Sequence, residues 1–164
     1  MSVARWSKDL VPGDEVAAIS LWEPWASLMA LGAKKVETRS WRTRYRGPLL
    51  ICASRRRRVG ELKKLLLDPT FQRSLAPLTP GRTVEVDDLA FGKAVALVDV
   101  YDCNTAECLL ECGLAPLDHW FGDYSSGRFG WSTCGVRRLI PFPVRGRQGL
   151  FKVRLPDDLS EISL

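Results

Sequence analysis

The sequence contains a single histidine, His119, so any mechanism that needs two histidines is excluded. No stretch approaches the roughly 20 consecutive apolar residues of a membrane span, and no membrane association is expected. The opening segment, Met1 to Leu10, has no apolar h-region, so no secretory signal is expected either. The five cysteines, Cys52, Cys103, Cys108, Cys112 and Cys134, include no C-x-x-C pair. An odd count without a signal segment suits reduced thiols and a cytoplasmic location. Cys108 and Cys112 stand at i, i+4 between Cys103 and His119, but cysteine is also a common small buried hydrophobe. No metal or cofactor is expected. The phosphate-cradling G-x-x-x-x-G-K-[ST] and G-x-G-x-x-G loops, the G-x-S-x-G elbow and H-E-x-x-H are all absent, as is the H-x-E with P-C-x-x-C pattern of nucleotide deaminases. There are no internal repeats and no low-complexity tracts.

The 164 residues suit one domain with its own core, and 46% apolar with 26% charged residues is an ordinary globular composition. The net charge of +5 is modest, but it is unevenly placed. Between Lys34 and Arg58 there are ten basic residues and one acid, Glu37; between Asp99 and Asp123 there are six acids and no Lys or Arg. A basic face concentrates polyanions, nucleic acid above all, although a charge run can equally be a solvated face.

Val16–Leu21 reads as a buried strand. Pro24 opens a short helix over Trp25–Leu31 that Gly32 stops. Val36–Trp41 alternates as a strand, and Leu49–Ala53 is a second buried strand. Val59–Leu67 is helical in pattern, stopped by Pro69, and Pro77, Pro80 and Gly81 mark a loop. Gly92–Tyr101 is a long strand. Thr105 caps a helix over Ala106–Cys112 that Gly113 closes. His119–Arg128 reads as a loop, and Phe129–Leu139 and Gly149–Leu155 as strands. Because long helices do not alternate with the strands, a doubly wound sheet is not expected. The pattern predicts an α+β protein: a small β-barrel of five or six strands with short helices at its ends. Residues 1–15 form a tail and 55–89 a helical and loop insertion within a single domain, 1–164.

Lys34, Glu37 and Arg39 carry the densest chemistry. On a strand, Glu37 and Arg39 share one face while Val36 and Thr38 take the other. Lys34, in the preceding loop, can aim at the same space. A cation, a carboxylate and a guanidinium converging on one pocket can bind a polar ring, activate a water or steady an oxyanion; the alternative is a surface ion-pair cluster. Trp22 and Trp25 suit base stacking beside a basic patch or, equally, filling of the core. Phe121–Trp131 mixes Gly, Ser, Tyr124 and Arg128 as binding loops do, and as strand-entry turns also do.

GAKKVETR, from Gly32 to Arg39, resembles the G-x-K-x-x-E-x-R signature of ASCH domains, which resemble the PUA fold. ISLWEPWASLMALG (19–32), SWRTRYRGPLLICAS (40–54), FGDYSSGRFGW (121–131) and GRQGLFKV (146–153) resemble further blocks of one ASCH subgroup. The resemblance implies a PUA-like β-barrel with a cleft where the signature meets the later loop, and recognition of RNA or a modified nucleoside. Single-stranded RNA or a modified nucleotide is the expected partner. Lys34, Glu37, Arg39 and Arg128 would hold a base edge, with Ser20 beside them. Trp22, Trp25 or Tyr124 would stack, and Arg42, Arg44, Arg46 and Arg55 to Arg58 would neutralise phosphates. The alternative is a hydrolase with Lys34 and Glu37 as candidate catalytic residues: a ribonuclease, or an amidohydrolase acting on an acylated nucleoside such as N4-acetylcytidine. The amidohydrolase pattern of such domains uses a lysine, a threonine three residues later and a glutamate from a central strand. Here Lys34 matches the lysine, Glu37 stands at the threonine position with Thr38 next to it, and the central strand offers Asp99. Oligomeric state is not encoded in any of these features.

Overall fold

The computed structural model describes residues 6–163. Six strands build one mixed sheet: β1 (Glu15–Leu21), β2 (Val36–Arg39), β3 (Gly47–Ala53), β4 (Lys93–Thr105), β5 (Phe129–Pro143) and β6 (Phe151–Arg154). Their order across the sheet is β2-β5-β4-β3-β1-β6. β1 and β3 run parallel, pairing Ala17 with Leu49 and Leu21 with Ala53, and all other neighbours are antiparallel. The parallel pair needs a crossover, which α1 (Trp25–Ala30) and β2 supply. The architecture is α+β, as expected, with the sheet curled into a half-barrel whose edges are β2 and β6. The curl has a local cause. β4 and β5 shift register at Ala94/Ala96, Leu97/Asp99 and Val100/Asp102, and each such bulge bends the strand and increases its twist.

β4 is buried without a break from Ala94 to Val100, as a strand covered on both faces must be. Alternation divides the core. Ala17, Ile19, Leu21, Leu49, Ile51 and Val98 pack with Met29 of α1 and with Trp131. Val16, Ala18, Leu50, Leu97 and Leu139 form the opposite cluster with Leu155. In the segment expected as an insertion, α2 (Val59–Leu65) and α3 (Pro69–Leu75) form a third cluster, in which Leu62, Phe71 and Leu75 pack on Leu28 and Phe121. Pro69 does end one helix, but it also opens the next, as the first residue behind the Asp68 cap, whose carboxylate accepts from Thr70 N at 2.7 Å.

The expected tail begins, at residues 1–5, outside the described residues. From there the chain is docked: Ser7 donates to the Asp99 carboxylate through its backbone N (2.6 Å) and hydroxyl (2.7 Å). α4 (Ala106–Cys112) lies between the Thr105 cap and Gly113, whose φ of +86° suits glycine. A second element departs from the sequence reading. α5 (Pro116–Phe121) occupies the start of the region expected as a loop from His119, because Pro116 seeds a first turn there.

Candidate functional site

The signature segment leaves α1 through Gly32, at φ +73°. The Leu28 carbonyl then accepts from both Ala33 N (3.0 Å) and Lys34 N (3.2 Å). This tight exit turns the Lys34 side chain inward, where it is only 2% exposed. Its ammonium lies 3.0 Å from Glu37 Oε2 and also donates to the Val36 carbonyl. The other Glu37 oxygen lies 3.5 Å from Arg39 Nη1. Glu37 and Arg39 share a face of β2, as strand alternation predicts, and the carboxylate bridges two cations, leaving one positive charge in excess. Burial makes such a group costly to leave unpaired.

β2 is an edge strand, held at its start by a residue remote in sequence. Asp118 of α5 is buried, and its Oδ1 accepts from Lys35 N (2.6 Å) and Val36 N (3.0 Å). On the other side, Thr133 of β5 donates its N and hydroxyl to the Lys35 carbonyl, at 2.9 and 2.8 Å. The Phe121–Trp131 loop closes over the same strand. Arg128 donates to the Thr38 carbonyl (3.1 Å) and lies 3.3 Å from the Asp123 carboxylate, while Asp123 N donates to Thr38 Oγ1 (3.1 Å).

These elements enclose a cleft of about 1040 Å³. Of the sequence-derived residues, Ser20, Trp22, Trp25, Lys34, Glu37, Arg39 and Arg128 all line it. The two tryptophans divide the roles left open for them. Trp25 is half-buried against two core clusters, whereas Trp22 is 44% exposed at the rim with the Arg58 guanidinium 4.0 Å from its ring centroid. The Ser20 hydroxyl is buried and has no hydrogen-bond partner among the described residues. Gly146 passes directly over it: a Cβ there would lie 2.6 Å from Ser20 Oγ.

Other expectations are not brought to the cleft. Tyr124 lies behind its wall. Its ring covers Gly122, where a Cβ would meet Tyr124 Cε2 at 2.5 Å, and its hydroxyl donates to the Asp118 carbonyl at 3.1 Å. Burial and the nearby carboxylates of Asp118 and Glu37 hold that phenol well above its ordinary range. Arg42 lies over the Phe129 ring at 5.2 Å, Arg46 bonds the Thr43 and Tyr45 carbonyls, and Arg44 is exposed away from the cleft. Of the Arg55–Arg58 run only Arg55 and Arg58 line the cleft, while Arg57 pairs with Asp87 at 2.7 Å. Asp99, the carboxylate of the central strand, is engaged by Ser7 outside the cleft. Sequence reasoning missed Arg145 and Arg147, which line the cleft from the loop between β5 and β6. The alternation of arginine and glycine in Arg145–Gly149 was the available signal. In all, seven cationic side chains line the cleft against the carboxylates of Glu37 and Asp123.

Glu23 positions α1 rather than lining the cleft. Its buried carboxylate accepts from Ser27 N (3.0 Å), Ser27 Oγ (2.8 Å) and Ala90 N (3.1 Å). Burial outweighs these bonds and pushes it above the usual carboxylate range. The folded state therefore binds this proton more tightly than the unfolded state does. Stability contributed by Glu23 is expected to fall as pH rises above the unfolded value of about 4.3 and to stay lower beyond the raised folded value. Urea denaturation of the wild type and Glu23→Gln between about pH 4 and 7 checks this. The stability difference should shift toward the variant as pH rises, and a pH-independent difference would refute it.

The fold is a curled, mixed half-barrel with short helices, and a cationic cleft lies at its edge strand. The chain belongs to the ASCH domain family, which matches residues 19–129, a PUA-like group generally associated with RNA binding. It is 38% identical over 90 residues to activating signal cointegrator 1 of Mus musculus and 37% identical over 90 residues to that of Homo sapiens. Each match takes in 52% of this chain but only 14% of the relative's length. Among solved structures, the ASCH protein of Zymomonas mobilis aligns at 15% identity and a TM-score of 0.48, covering 84% of this chain and 87% of that one. A single-substitution variant of it aligns at 15% identity and 0.46, covering 88% and 92%. Among the described residues no helix is long and apolar enough to cross a membrane.

Proposed function

We propose that the cleft binds one base of a single-stranded RNA or a modified nucleoside. The observation that carries this reading is the excess of seven cations over two carboxylates around a buried Lys34–Glu37 pair. The cations supply phosphate neutralisation, and Glu37 supplies an acceptor that a purely anionic ligand does not need. In this reading Lys34, Glu37 and Arg39 hydrogen-bond the base edge and Trp22 stacks on a ring face. Arg55, Arg58, Arg145 and Arg147 hold phosphates. Hydrolysis is less well supported, since the carboxylate of the central strand is committed to Ser7 and the cleft offers only Glu37 and Asp123 as carboxylates among the described residues.

NMR titration with modified nucleosides, including N4-acetylcytidine, and with short RNAs tests the reading. Shifts centred on Trp22, Glu37 and Arg39 without new products are expected, and Arg39→Ala should weaken binding about tenfold, the loss of one charge-assisted hydrogen bond. Release of acetate or RNA fragments would replace binding with hydrolysis. No binding of any of these at low salt would overturn the reading.

A further inference from the structure

The wall that carries Arg145 and Arg147 has a second side. Val144, Arg145 and Arg147 line the cleft and also line a neighbouring groove of about 360 Å³. Phe142 and Phe151, both half-buried, and the exposed Lys152 and Arg154 of β6 complete this groove, and no carboxylate among the described residues lines it. Neither Arg145 nor Arg147 has a hydrogen bond or ion pair among the described residues. Among the described residues the partners of Lys152 and Arg154 are exposed, Glu15 at 3.7 Å and Asp157 at 3.1 Å, and such pairs give way to other anions at little cost. Lys152 and Arg154, at i and i+2 on β6, project to one side.

We infer that this groove takes the nucleotides flanking the base in the cleft, so that a single strand crosses the Arg145–Gly149 ridge from one hollow into the other. The inference rests on the base-binding reading of the cleft and extends it from one nucleotide to a strand. Arg145, Arg147, Lys152 and Arg154, on a groove that shares its wall with the cleft, match a polymer that carries a phosphate at every residue. The ridge leaves room for the crossing at Gly149, at φ +69°, where a Cβ would meet nothing within 4 Å.

The test compares a mononucleotide with a single-stranded RNA of about six nucleotides, the length an extended binding track accommodates. The proteins are the wild type and Lys152→Gln/Arg154→Gln, whose changes lie outside the cleft. The wild type is expected to bind the oligonucleotide at least about tenfold more tightly than the mononucleotide, with a steeper salt dependence. The double variant should leave mononucleotide binding unchanged, weaken oligonucleotide binding several-fold, and flatten the salt slope by about 0.7 for each phosphate that it no longer neutralises. Equal binding of both ligands by the wild type, or an oligonucleotide affinity untouched by the double variant, overturns the strand track and leaves the cleft reading intact. Oligonucleotide binding weakened by the variant, with no mononucleotide binding at all, places a strand on the groove but overturns the cleft as a base pocket and with it the crossing between the two hollows. Absence of binding by either ligand overturns both.

Discussion

Lys34→Ala is expected to abolish detectable nucleoside binding and to lower stability by about 3 kcal/mol. The stability loss follows from burial. Glu37 is 8% exposed and would lose the ammonium at 3.0 Å, keeping only Arg39 at 3.5 Å. Removing one member of a buried pair costs roughly 3–5 kcal/mol, because the remaining charge stays desolvated. The half-buried Arg39 offsets part of that, which sets the expectation at the lower end. A marginal fold of about 5–15 kcal/mol survives such a loss. Lys34→Met combined with Glu37→Gln separates the two effects. With neither deeply buried charge left, and only the part-exposed Arg39 without its carboxylate, stability should return to within about 1 kcal/mol of the wild type, while binding should remain lost. Urea denaturation and NMR titration of the same preparations read both quantities. If the neutral pair binds nucleosides as the wild type does, the Lys34–Glu37 bridge is a strut and the proposed recognition fails.

Asp118→Ala is expected to disturb the cleft without touching a ligand. One carboxylate oxygen accepts from both Lys35 N and Val36 N, and its removal strands two backbone donors at the start of an edge strand. At about 1–3 kcal/mol for the buried Val36 donor and less for the part-buried Lys35 donor, the expected loss of stability is roughly 2–4 kcal/mol. Because those donors flank the turn that aims Lys34, nucleoside affinity should fall about tenfold in the folded fraction. Asp118→Asn keeps an oxygen in place, gives up only the charge assistance and should cost about 1 kcal/mol with affinity within a few-fold. Amide exchange at Lys35 and Val36 gives a readout independent of binding. Unchanged protection of these amides in Asp118→Ala would show that β5 alone holds β2.

Much of the site was legible because its logic is local. The alternation of Val36-Glu-Thr-Arg39 is enough to bring Glu37 and Arg39 to one face, and Gly32 is enough to end α1 ahead of Lys34. Thr105 and Gly113 bracket α4 for the same kind of reason: a hydroxyl caps the first turn and a positive φ closes the last. Where the reading failed, one residue served two elements or a side chain had two destinations. Pro69 stops α2 and starts α3, and a breaker looks the same from sequence in either role. Pro116 seeds a helix that runs into the first residues of a segment whose glycines and serines resemble a loop. Tyr124 has the composition of a binding-loop aromatic, yet packs on Gly122 because that glycine leaves room for the ring.

The sequence by itself determined the α+β class, the buried runs of β1, β3 and β4, the family resemblance and the Lys34–Glu37–Arg39 constellation. All of these depend on period-two alternation, caps and short spacings, whose range is a few residues. Only the tertiary structure decided which cations share the cleft. Asp118, 82 residues from Val36 in sequence, anchors β2, and the placement of β6 beside β1 brings the Arg145–Arg147 loop over Ser20. Arg42 and Arg46, close to the signature in sequence, turn instead to Phe129 and Asp102. The physical reason is the sheet order. Neighbours in β2-β5-β4-β3-β1-β6 are mostly distant along the chain, so convergence on the cleft is set by strand pairing and the curl of the sheet, which no local pattern encodes.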